Sequence, residues 1–180
     1  KLNKIDEAKS ICNSLLRNNK ENIDLLNVLG LCYLAEKEID KAIDIFNQIL
    51  NYDENNIAAL NSLGRINHER RESVDAEKFF LRALKIDPSS YQVLNNIAGF
   101  YREEGNYKKS IDLYLRALEL NPNNSYILNN LAKSYFDIDD FEKSEAYALR
   151  AHDLNKFDGN IKKILSFIYL RKQEYKKGWL

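Results

Sequence analysis

Four asparagines stand 34 residues apart, at Asn27, Asn61, Asn95 and Asn129. A carboxamide presents one acceptor and one donor edge, which matches one peptide unit of an extended chain. A regular file of them can therefore hold a peptide backbone without reading its side chains. Asparagine in a helix interior costs roughly 0.6 kcal/mol relative to alanine, so four such positions forgo on the order of 2–3 kcal/mol. That cost marks them as candidates for function. Other reactive residues do not assemble. His68 and His152 fall on different predicted helices, and His68-Glu69 lacks the second histidine of a zinc-protease helix. Asp139-Asp140 reads as turn chemistry, because no third ligand sits at suitable spacing. Cys12 and Cys32 have neither CxxC spacing nor a neighbouring histidine cluster, and they read as small apolar core residues. No glycine-rich phosphate loop is present. The expectation is a chain with no catalytic residue, no metal and no cofactor.

The elements that carry the asparagines repeat with the same period. Leu29-Gly30 recurs as Leu63-Gly64, Ile97-Ala98, Leu131-Ala132 and Leu165-Ser166. Ala8 recurs as Ala42, Ala76, Ser110, Ser144 and Gly178, Phe46 as Phe80 and Tyr114, and Pro88 as Pro122. Within a period, apolar residues step by three and four, as in Leu26, Leu29, Tyr33 and then Ile39, Ala42, Ile43, Phe46, Ile49, Leu50. Each period is thus predicted to be helix, short turn, helix. The inner turns are Glu36-Lys37-Glu38, Glu104-Gly105-Asn106 and Ile138-Asp139-Asp140. Gly105 suits a helix C-terminus that needs a left-handed residue. Between periods, Asp87-Pro88-Ser89-Ser90 and Asn121-Pro122-Asn123-Asn124 end one helix and offer caps to the next. The small residues Gly30, Gly64, Ala98 and Ala132, against Ala42, Ala76, Ser110 and Ser144, are expected where paired helices approach closely. The rings of Tyr33, Phe46, Phe80, Tyr101, Tyr114 and Tyr135 are expected to fill the space between neighbouring hairpins. In the first helix, Ile5, Ala8, Cys12 and Leu15 are expected to face inward.

Composition agrees. The 180 residues are 44% hydrophobic and 30% charged, with 11 Tyr and 8 Phe, which excludes the disordered class. Six Gly and two Pro are too few for a turn-rich sheet protein. Lys plus Arg equals Asp plus Glu at 27 each, so net charge argues for neither nucleic acid nor an anionic membrane surface. No apolar run approaches the roughly 18 residues of a membrane span, and the expectation is no membrane insertion. The N-terminal residues lead straight into an amphipathic helix rather than a signal peptide, so a cytoplasmic location is expected.

The repeat resembles the tetratricopeptide family, whose signature is W-x2-L-G-x2-Y, A-x3-F and P over 34 residues. Leu26, Leu29, Gly30, Tyr33, Ala42 and Phe46 hold those places in the first full unit. Leu60, Leu63, Gly64, Ala76, Phe80, Ala83 and Pro88 hold them in the second. Leu94, Ile97, Ala98, Tyr101, Ser110, Tyr114, Ala117 and Pro122 follow, then Leu128, Leu131, Ala132, Tyr135, Ser144 and Ala151. Leu replaces the signature Trp, Asn67 stands for Tyr, Glu54 and Lys156 stand for Pro, and Ala148 stands for Phe with Tyr147 beside it. The resemblance implies an all-α, right-handed solenoid of stacked antiparallel helix hairpins. Its divisions would be one array over 1–180: the second helix of a truncated repeat at 1–22, repeats at 23–56, 57–90, 91–124 and 125–158, and the start of a further repeat at 159–180.

In that family the first helix of each hairpin lines a concave groove. By helical spacing, the second, fifth, sixth, ninth, twelfth and thirteenth places of each unit would face it. Those columns hold Asn27, Asn61, Asn95, Asn129 and Lys163, then Val28, Ser62, Asn96, Asn130 and Ile164, then Leu31, Arg65, Gly99, Lys133 and Phe167, with Arg102 further along. The expected partner-binding set is Asn27, Asn61, Asn95, Asn129, Asn96, Asn130, Arg65, Lys133 and Arg102. The asparagine file resembles the ladder in the repeat domains of O-linked N-acetylglucosamine transferases. The set of lysines and asparagines that clamps acidic chaperone tails in other members is not completed here. Arg65 and Lys133 are balanced by Glu69 and Asp137, which argues against RNA. The function implied is a non-catalytic scaffold that holds an extended protein or peptide segment. The alternative is a substrate-recognition repeat domain linked to a downstream glycosyltransferase or sulfotransferase domain, suggested by the closing Tyr175-Lys176-Lys177-Gly178-Trp179.

Overall fold

The computed structural model describes residues 2–173. Ten α-helices and no strand occur among them: α1 (Leu2–Leu16), α2 (Ile23–Ala35), α3 (Ile39–Tyr52), α4 (Ile57–Glu69), α5 (Ser73–Ile86), α6 (Tyr91–Glu103), α7 (Tyr107–Leu120), α8 (Ser125–Asp137), α9 (Phe141–Leu154) and α10 (Gly159–Arg171). The chain is an all-α helical repeat. It forms two compact units, Lys1–Pro88 and Ser89–Leu180.

Local chemistry sets the helix ends. Asn22, Asn56, Asn124 and Asp158 cap α2, α4, α8 and α10 by accepting backbone N–H bonds at 2.8–3.1 Å. Ser90, expected to cap α6, makes no side-chain cap bond; its carbonyl accepts from the Leu94 N–H at 2.9 Å. The inner turns share one geometry. The N–H groups of Glu38, Glu72, Asn106 and Asp140 donate to the carbonyls of Tyr33, Asn67, Tyr101 and Tyr135 at 2.8–3.0 Å. Such a six-residue closure needs a left-handed residue just inside it. That residue is Lys37 (φ 63°), Arg71 (65°), Gly105 (77°) and Asp139 (60°), and Gln173 (60°) repeats it after α10. Four of the five carry a side chain where glycine would be unstrained.

In the first unit each helix packs on the next from α1 to α5. The core joins Leu26, Ala42, Phe46, Ile49, Ala59, Leu63 and Ile66. Burying each of the large members contributes about 1.5–3 kcal/mol. Ala42, Phe46 and Ile49 are fully buried and lie on one stripe of α3 at steps of four and three. The glycines belong to the hairpins themselves. A methyl on Gly30 would come within 2.8 Å of the Phe46 ring, and one on Gly64 within 2.8 Å of the Phe80 ring. These two rings therefore sit inside their own hairpins, over the glycine, rather than only between hairpins as the sequence suggested. Cys12 is buried and Cys32 half-buried, and both thiols are free. Leu15 does not face inward; it is 49% exposed, and Leu16 packs against the core instead. The step of four from Cys12 stays on the buried stripe of α1, whereas the step of three leaves it.

In the second unit α6 to α10 likewise pack in succession, and the first helices also touch one another, α6 with α8 and α8 with α10. Here alanine and serine take the close-approach positions. Ser144 Oγ on α9 donates to the Ala132 carbonyl on α8 at 2.8 Å, and the hydroxyls of Ser110 and Ser134 meet at 3.2 Å across α7 and α8. Tyr147 stacks on Tyr135 with centroids 5.5 Å apart and planes 3° from parallel, next to the fully buried Ala148.

Candidate functional site

The asparagine file is placed unevenly. In the first unit Asn27 on α2 and Asn61 on α4 are half-buried, and the same helices expose Val28, Leu31 and Arg65. In the second unit Asn95, Asn129 and Asn130 are buried and Asn96 is half-buried. Asn130 Nδ2 donates to Asn95 Oδ1 at 3.3 Å, and Asn95 Nδ2 to Asn96 Oδ1 at 3.3 Å. These three side chains thus tie α6 to α8. Asn129 Oδ1 is buried without a hydrogen-bond partner. An acceptor in that state costs about 1–3 kcal/mol.

The helices α6, α8 and α10 also line an open cleft of about 290 Å³. Arg102 lines it from α6, Lys133, Phe136 and Asp137 from α8, and Asn160, Lys163, Ile164 and Phe167 from α10. All eight residues fall at the second, fifth, sixth, ninth, twelfth or thirteenth place of their 34-residue periods. Phe136 and Asn160 were not singled out in the sequence, although the column rule contains them. No feature of residue type or spacing separates these two from the rest of their columns, because the cleft draws on three helices at different heights.

The cleft holds three cations against one carboxylate. Arg102 Nε donates to Asp137 Oδ2 at 2.6 Å, which orients the guanidinium and occupies the carboxylate. Neither Lys133 nor Lys163 has a carboxylate at ion-pair distance among the described residues. Lys163 Nζ instead lies 5.7 Å from the centre of the Phe167 ring, where the quadrupole attracts it. Burial pushes the Lys133 ammonium below the ordinary lysine range. The neighbouring Arg102 and Lys163 add to this, and Asp158 and Asp137 oppose it. Asp158 meanwhile caps α10. The cleft is therefore a cation-rich recess with an apolar, partly aromatic wall, suited to a negative group carried on an organic chain.

The other residues read from the sequence lie elsewhere. Asp140 caps α9 and pairs with Lys143 at 2.9 Å, and Asp139 is the left-handed turn residue, so both do turn chemistry. His68 is on α4 and His152 on α9. Among the described residues no three or more His, Cys, Asp or Glu are placed to hold a metal ion. No helix among them is long and apolar enough to cross a membrane. The Tyr175–Trp179 ending, like Gly178 of the small-residue column, lies outside the described residues.

Comparison with known proteins agrees with this architecture. Residues 1–66 match the family model described as tetratricopeptide repeat, and residues 100–139 match one described as TPR repeat. No curated protein matches the chain. Among solved structures, it is similar to pilF of Pseudomonas aeruginosa, with a TM-score of 0.80 and 22% identity over 97% of this chain and 73% of that one. It is also similar to a structure of the APC/C hetero-tetramer Cut9–Hcn1, with a TM-score of 0.88 and 16% identity over 95% of this chain. There the match spans only 34% of the other chain. A third similar structure is YrrB, described as a TPR protein with an unusual peptide-binding site, with a TM-score of 0.68 and 14% identity over 93% of this chain and 87% of that one. At these identities the likeness is one of fold.

Proposed function

We propose, from the premise that this chain carries tetratricopeptide repeats, that it is a non-catalytic scaffold whose first-helix face binds an extended segment of a partner protein. The observation that carries this reading is the cleft between α6, α8 and α10, where Lys133 and Lys163 stand without carboxylate partners among the described residues, beside the rings of Phe136 and Phe167. Lys133 is half-buried and Lys163 exposed, and a half-buried ammonium without a counter-charge is costly, so a fold with no need for ligand would gain by neutralising Lys133. The peptide-binding site of the fold neighbour YrrB supports the same general role.

In the second unit we place the grip at Arg102 and Lys133. Asn95 and Asn130 are already bonded to each other, and a guest would have to break that bond to use them. In the first unit the half-buried Asn27 and Asn61 remain the candidates for holding a peptide backbone, with Arg65 exposed beside them.

The test is selection of peptides from a random display library against the whole chain, followed by fluorescence anisotropy of the selected sequences. The double variant Lys133→Ala, Lys163→Ala should weaken them about tenfold, on the order of 1.4 kcal/mol. Asn27→Ala with Asn61→Ala tests the ladder in the first unit. A library that yields no binder would sink the scaffold reading. Binders indifferent to all four positions would sink the site.

A further inference from the structure

We infer that the cleft between α6, α8 and α10 recognises a phosphorylated side chain of the partner segment. The inference rests on the peptide-binding reading above and narrows it to one ligand chemistry.

The argument is one of charge and geometry. Three cationic side chains from three helices converge on one recess of about 290 Å³. A recess of that size has room for one substituted side chain. Among the described residues the two carboxylates that act on Lys133 are already engaged: Asp137 by Arg102, and Asp158 in capping α10. Two ammonium groups and the terminal nitrogens of Arg102 are left facing an anion. A carboxylate brings one charge and two oxygens. A phosphomonoester brings a charge of about −1.5 to −2 and three strong acceptor oxygens. The second matches both the unpaired charge and the number of converging donors. Arg102 adds planar donors suited to phosphate, and its bond to Asp137 fixes their direction. Phe136, Ile164 and Phe167 supply an apolar wall for the carbon stem that carries the group. The bond between Asn130 and Asn95 ties α8 to α6, two of the three helices that line the cleft, so Arg102 and Lys133 are held near one another before a guest arrives.

The experiment uses the whole chain and oriented peptide libraries that differ only at a fixed centre: phosphoserine, phosphothreonine, phosphotyrosine, glutamate or unmodified serine. Peptides chosen from each are compared by fluorescence anisotropy, with inorganic phosphate as competitor. A phosphorylated centre should bind at least about tenfold tighter than serine and severalfold tighter than glutamate. Lys133→Gln or Lys163→Gln should each remove most of that preference, read as a larger loss of affinity for the phosphorylated peptide than for the serine peptide. Circular dichroism should show both variants folded. If glutamate or serine peptides bind as tightly as phosphorylated ones, the inference fails and the peptide-binding reading stands. If inorganic phosphate binds but no phosphopeptide does, the inference fails as well. If no peptide of any kind binds, both fail together.

Discussion

Gly64 shows how a single missing atom shapes the chain. The Phe80 ring occupies the place of its absent methyl, with three ring carbons, Cδ1, Cε1 and Cγ, within 3.1 Å of a Cβ built there. Phe80 is fully buried and close to its own backbone at the contact, so it cannot swing away. Gly64→Ala should destabilise by about 1–3 kcal/mol, seen as a lower urea midpoint with little change in slope. Gly30→Ala should cost less, because the contact there begins at the far tip of Phe46. Adding Phe80→Leu to Gly64→Ala should recover part of the loss, and additive losses would show that the ring is not the obstacle. Asn124 gives a second test at this scale. Its side chain accepts from the N–H groups of Tyr126 and Ile127, and Asn124→Ala should cost about 1 kcal/mol in thermal or chemical unfolding.

At the scale of the helical hairpin, the turn decides the pairing. All four inner turns close by the same bond from the second residue past the helix cap, and all hold a left-handed residue. The sequence made this plain only at Gly105. Lys37, Arg71 and Asp139 gave no such signal, because closure by the Glu38, Glu72 and Asp140 N–H groups overrides the local preference of those side chains. Arg71→Gly and Lys37→Gly should therefore stabilise the protein by up to about 1 kcal/mol, and Gly105→Ala should lose a comparable amount. Equal unfolding midpoints for all three would refute the strain argument. The helices themselves were legible because each buried stripe keeps its step of three and four for two turns or more. The exposed side of Leu15 was not, because at the end of a stripe both Leu15 and Leu16 satisfy the pattern and only contact with the core separates them.

Across the whole molecule, balanced charge leaves stability to buried rings and helix contacts. Tyr114 is almost fully buried, and burial pushes its hydroxyl well above the ordinary tyrosine range. Burial also raises Tyr135. A raised value means that the folded state keeps the proton when the unfolded chain has lost it. That contribution is complete below the unfolded value of about 10 and is lost as pH rises above it. Stability should fall between pH 9 and 11, and Tyr114→Phe should fall less over the same interval, measured as urea unfolding at both pH values; parallel losses would remove Tyr114 from the account. The placement of the cleft was half visible beforehand. The columns contained all of its residues, but which of them converge depends on contacts of α8 with both α6 and α10, which no single helix encodes. The left-handed turns carry one last consequence, for insertions and deletions. One added residue beside Lys37 would rotate every position that follows in α3 by about 100° about its axis. Ala42, Phe46 and Ile49 would swing toward solvent together. The turn can thus exchange its residue at a cost of about 1 kcal/mol but not its length, and a 34-residue spacing is preserved by helical phase where identity is allowed to drift.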